Sequence, residues 1–264
     1  EESLLLAGID TRLGDEQSSA GNIDINVTDA IVLKDKSRIS NSILTEARGQ
    51  GGDINISTNS LLLETGAAVD ASTSGEGNAE NLTVNANDVQ VIGRSLDGEF
   101  VSLLSTVTFS TGDGGDLNIN TNSLLIQDGA FVGTGTVGEG NAGNLTVNAS
   151  DVQLIGKSLD DQLPSFLSTQ TASTSTGDGG NLEINTNTLL IQDGAVVDTS
   201  TFGEGNAGNL TVNATDVQVI GESLDGQFPS LLSAGTVSTG DGGNLEINTN
   251  SLLIQDGAFV GTGT

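Results

Sequence analysis

The segment GGNLEINTNTLLIQDGA at Gly179–Ala195 returns almost letter for letter at Gly114–Ala130 and Gly242–Ala258. A chain that writes one short phrase repeatedly must stack copies of one structural unit, because no single unit of this size buries its own apolar face. The phase is set by Gly-(Asn/Asp)-(Leu/Ile)-x-(Ile/Val). Its aliphatic falls at Ile23, Ile54, Leu82, Leu117, Leu145, Leu182, Leu210 and Leu245, with Glu80 replacing the glycine once. After a first spacing of 31, short units of 28 residues alternate with long units of 35 or 37.

Each unit opens with apolar–polar alternation, as in Leu182-Glu183-Ile184, the period of a half-buried strand. Seven residues on, a second apolar pair follows, such as Leu124/Ile126 or Val217/Val219. In short units a third comes after Asp-Gly-Ala or Thr-Gly-Ala, at Val69, Val132, Val197 and Val260. No stretch carries helical periodicity with caps. The expected fold is therefore all-β: a right-handed parallel β-helix with three short strands per coil and about eight coils. At roughly 4.8 Å per coil it makes a rod about 40 Å long. Residues 1–50 read as divergent N-terminal coils and 51–264 as the regular part of one continuous domain. Ser3–Gly8, SLLLAG, reads as a second strand whose coil begins upstream, so the chain reads as a fragment of a longer one.

Asparagine follows the first strand at Asn26, Asn85, Asn120, Asn148, Asn185, Asn213 and Asn248. It tolerates the left-handed conformation of a sharp corner, and stacked amides can bond copy to copy as a structural ladder. A second column, Asn22 through Asn244, precedes the strand. Long units carry insertions such as GESLDGQFPSLLS from Gly221, in which Phe100, Phe166 and Phe228 lie. These either fold back on the rod or form a ridge of interaction loops.

Charge and missing residue types exclude much. Acids number 35 against 7 bases, five of which precede residue 51. Such a surface repels nucleic acid and anionic membranes. There is no cysteine or histidine, which removes disulfides, thiol nucleophiles, histidine bases and ordinary zinc sites. No apolar run is long enough for a membrane-spanning helix.

Asp113, Asp178 and Asp241 sit in acidic-glycine strings that suggest weak calcium sites, but the tandem nine-residue spacing of calcium-binding repeats is absent. No other cofactor is expected. The acids Asp128, Asp193 and Asp256, like Glu76, Glu139 and Glu204, recur once per double unit, unlike the singular pair of a glycosidase. The expectation is a non-enzyme. Thr134/Thr136, Thr199/Thr201 and Thr262/Thr264 read as solvent-facing strand threonines, with a flat ice-binding array as the other reading.

GNAGNLTVNASDVQLIGKS (Gly140–Ser158) and the text of Gly179–Gly221 resemble the repeat region of cyanobacterial filamentous-haemagglutinin-like exoproteins. The resemblance runs from about Gly51 to Thr264. It implies a long right-handed β-helix exported by two-partner secretion through an outer-membrane transporter, to serve at the cell surface or in the medium as an adhesin or fibre. The expected function is a shaft segment of such an adhesin. The alternatives are a polysaccharide-binding or polysaccharide-cleaving β-helix and a calcium-stiffened, self-associating filament. Expected partners are further copies of the chain, end to end or laterally, and cell-surface or extracellular glycans.

Overall fold

The computed structural model describes residues 3–158 and 163–263. Among them there is no helix. Twenty-five strands form three parallel sheets of eight, eight and nine strands. Successive strands of the chain go to successive sheets, so the backbone coils around one axis as a β-solenoid with three strands per coil. One complete coil is Leu145–Asn148, Asp151–Ile155 and Phe166–Thr171. Each strand pairs with its counterpart one coil on. Leu117 is opposite Leu82 on one side and Leu145 on the other, and Leu145 is in turn opposite Leu182.

The alternation in the sequence becomes an inside and an outside. In the first sheet Ile54, Leu82, Leu117, Leu145, Leu182 and Leu210 stack in one fully buried file, and Ile56, Val84, Ile119, Val147, Ile184 and Val212 in a second. The second sheet adds files through Leu124 and Ile126. Burying each such side chain is worth about 1.5–3 kcal/mol, which only an in-register neighbour on each side supplies.

The third sheet corrects the reading of the threonines. Thr134, Thr136, Thr199 and Thr201 point into the rod and are buried. Alternation decides this, because Val132 and Val197 point inward two residues before Thr134 and Thr199. Their hydroxyls are satisfied: Thr134 Oγ1 donates to the Gly143 carbonyl, Thr136 Oγ1 accepts the Gly138 N–H at 3.2 Å, Thr199 Oγ1 donates to the Gly208 carbonyl at 2.7 Å and Thr201 Oγ1 to that of Asn206 at 3.1 Å. Thr262 lies in the last coil and is exposed, since no further coil covers it, and Thr264 lies outside the described residues.

Ser3–Gly8 is corrected too. Leu4–Ile9 pairs with Arg38–Ile43 and so belongs to the third sheet, not the second. The Ser-Leu-Leu text occurs before both kinds of strand, at Ser60 and at Ser102, and so does not discriminate.

The glycine-rich strings serve close stacking more than turning. A Cβ on Gly112 would lie 2.0 Å from the Gly77 carbonyl oxygen, and one on Gly140 2.0 Å from that of Gly112. Each coil closes by laying its backbone on the backbone before it, which only glycine permits.

Candidate interaction face

The asparagine columns are built as ladders. From Asn120 to Asn248 each Nδ2 donates to the Oδ1 of the preceding coil at 2.9–3.0 Å, beginning at Asn85. Asn26 stands opposite Ser57, which has no amide to continue the file. None of these asparagines has positive φ. They end extended strands, and the left-handed corners belong instead to Asp128, Asp193 and Asp256, each followed by glycine. The second column is continuous from Asn22 to Asn244, with each Oδ1 accepting the next coil's backbone N–H at 2.8–3.1 Å.

A third ladder was not read from the sequence. Asn78, Asp113, Asn141, Asp178, Asn206 and Asp241 follow one another coil by coil, each accepting the next residue's backbone N–H at 2.8–2.9 Å. Asp113, Asp178 and Asp241 are thus alternate rungs with an asparagine between them. Among the described residues no group of three or more acids is placed to hold a metal ion. The signal lay in the two spacings: Asn and Asp alternate there in step with short and long units.

The insertions stand at one corner, between the second and third strands of each long coil. Short coils turn there in three residues and long coils in ten, at 93–102, 156–165 and 221–230. The loops share one internal design. Ser223 N donates to the Phe228 carbonyl at 2.7 Å, Phe228 N to Ser223 Oγ at 3.0 Å, and Ser223 Oγ to Asp225 Oδ1 at 2.6 Å. Ser95, Phe100 and Asp97 repeat it. The loops therefore form a ridge of small closed hairpins in alternate coils. Phe100 and Phe228 are in them, but Phe166 is not: it opens a third-sheet strand, opposite Phe131 and Val196. The loop position aligned with Phe228 is held by Leu163 in that coil. Four of that loop's residues, 159–162, lie outside the described residues.

Each loop is anchored at its neck. Ser230 is fully buried; its Oγ accepts the Gly194 N–H at 3.0 Å and donates to the Ile220 carbonyl at 2.7 Å. Ser165 does the same for Gly129 and Ile155. Replacing Ser230 with alanine strands a buried N–H, and we expect a loss of about 1–3 kcal/mol in urea unfolding. An unchanged midpoint would show that the neck is not anchored this way.

Basic residues tie the ridge together. Lys157, with a side chain 4% exposed, reaches from one loop to Asp225 Oδ2 of the next at 2.5 Å and lies 5.3 Å from the Phe228 ring centre. Lys36 pairs with Asp97 and lies 4.7 Å from the Phe100 ring. Lys157 and Ser223 together hold the Asp225 carboxyl down, at about 2.

Beside the ridge, the outer face of the third sheet is a trough. Its floor carries one outward file, Leu103, Phe131, Phe166, Val196, Leu231 and Phe259. The next outward file is small or polar, at Ser105, Gly133, Ser168, Asp198, Ser233 and Gly261. The Phe259 ring lies over Gly261 of its own strand, 3.0 Å from where a Cβ would stand. The opposite wall is formed by residues just past the third strand, among them Phe202 and Val237. Phe109 holds the same place in its own coil. Within the trough lies an open cavity of about 550 Å³ lined by Leu163, Phe166, Phe202, Phe228 and Phe259. All seven phenylalanines of the chain are on this sheet or in the corners at its two ends. Four of them, Phe109, Phe131, Phe202 and Phe259, were not singled out in the sequence. Strand parity across the third sheet was the signal that would have found them.

One carboxylate of the small and polar file is buried within this floor. Asp198 is 3% exposed, with Ser168 Oγ donating at 2.5 Å and Gln170 Nε2 donating to both oxygens at 3.1 and 3.2 Å. Burial raises its pKa above 3.8 despite those bonds. The folded chain thus binds this proton more tightly than the unfolded chain. The site costs stability at neutral pH, and the cost is relieved as pH falls through the raised value toward 3.8. Asp198→Asn should raise the thermal midpoint at neutral pH and leave it nearer to wild type in mild acid. A lower midpoint at neutral pH would contradict this.

No protein-family model, curated protein or solved structure matches the chain. Among the described residues no helix is long and apolar enough to cross a membrane.

Proposed function

We propose that this chain is a shaft segment of a secreted or cell-surface fibrous adhesin, of the kind its repeat text resembles, exported through an outer-membrane transporter and without enzymatic activity. The observation that carries the reading is the division of labour among the faces. Two sheets turn largely strand alternation and asparagine ladders outward, while the third gathers every aromatic side chain beside a ridge of anchored loops. Repetition of one coil supplies length and stiffness, and the aromatic side supplies a contact surface. The recurring acids fit no single reaction centre: Asp128, Asp193 and Asp256 occupy left-handed corners, and Glu76 pairs with Arg48 at 3.0 Å.

The test is attachment. Beads coated with the full chain are presented to cells and to glycan-coated surfaces, with released reducing sugar measured in parallel. Retention without sugar release is expected. Release of sugar, or no retention on any surface, would overturn the reading.

A further inference from the structure

We infer that the aromatic side is a pairing surface for a second copy of the same rod, the loop ridge of each lying in the trough of the other. The inference rests on the shaft reading and names the partner of its contact side. Two leucines at the loop tips, Leu96 and Leu224, are 98% and 102% exposed. A fully solvated leucine at the apex of a hairpin held by internal hydrogen bonds contributes nothing to the rod itself. These knobs stand four coils apart, roughly 19 Å at about 4.8 Å per coil. The trough repeats along the same axis with the same period, because the same units write both, so every knob of one rod meets an equivalent place on the other. A ridge running beside a groove is self-complementary under a twofold axis, which closes the assembly at two copies and does not propagate it.

The area is sufficient. The six floor strands at about 4.8 Å and five residues at about 3.3 Å give a floor of roughly 480 Å². With the ridge added, each partner reaches the roughly 800 Å² typical of a stable interface. Charge sets the condition. Each rod carries a net charge of −28, so bringing two together is opposed by long-range repulsion that salt removes.

Sedimentation velocity of the full chain, at a concentration on the order of 0.1 mM and in about 0.05 and 0.5 M NaCl, tests this. The expected result is a species of twice the 26.6 kDa chain mass that gains at least about tenfold in association constant at the higher salt. The Leu96→Ser, Leu224→Ser double variant should lose pairing by at least about tenfold while its far-ultraviolet circular dichroism is unchanged, since both side chains are already in water. A wild-type monomer at both salts would overturn the inference, as would a double variant that pairs as tightly as wild type. A monomeric chain that still attaches in the bead assay would remove the pairing and leave the shaft.

Discussion

Replacing Leu145 with alanine should lower the free energy of unfolding by about 4 kcal/mol, in the upper part of the range for buried leucines. The side chain is fully buried between Leu117 and Leu182 in a file of like residues. Its strand is hydrogen-bonded to a neighbour on both sides, so the backbone cannot move in to fill the cavity. The coil's circumference is also fixed by corners whose glycines already touch the carbonyls before them. The same change at Leu245, which is only half-buried in the last coil, should cost under about 1.5 kcal/mol. Urea titration followed by circular dichroism measures both. Equal losses at the two positions would mean that burial is not set by stacking on both sides.

The second large effect contrasts two deletions. Removing residues 145–209 takes out a whole short-and-long pair and joins Asn144 to Leu210. Each already follows the other's pattern in the intact chain, since Leu145 and Leu210 are equivalent markers. The shortened rod should fold with the same sheet content and melt within a few degrees of wild type, because each coil contacts only its neighbours. Removing Thr211 alone should do far more harm. Val212 would then face solvent and Asn213 the core, since a one-residue slip exchanges the two faces of a strand. The loss of Val212 burial together with the Asn213 rung, now 2.9 Å from Asn185, should cost about 3–5 kcal/mol. Thermal melts of the two variants decide it. A large loss from the long deletion and none from the short one would refute in-phase stacking.

The coil was legible in the sequence because its determinants are periodic. Leu117, Leu145 and Leu182 announce a shared environment by returning at a fixed phase, and Asn120, Asn148 and Asn185 do the same for a shared hydrogen bond. Features that depend on which side of a strand a residue faces are less legible. Residue type alone puts Thr134 and Thr136 toward solvent, whereas counting from the buried Val132 turns them inward. Phe166 groups with Phe100 and Phe228 in the sequence because the insertion text runs straight into the next strand without punctuation. The left-handed corner was given to asparagine by propensity, while the Asp-Gly pair, an equally good turn signal, takes it. The trough was not legible, because its walls come from corners that lie far from the floor in sequence and meet only when the third sheet is assembled.

The most direct test of the stacked-coil account is a spin-label distance ladder, which the absence of cysteine makes clean. Thr83, Glu183 and Glu246 all face outward on the first sheet at equivalent positions. Labels at Thr83 and Glu183, three coils apart, should lie about 14 Å from one another, and labels at Thr83 and Glu246, five coils apart, about 24 Å, each as a narrow distribution. Distances that fail to grow in proportion to the number of coils, or that spread broadly, would contradict the stacking.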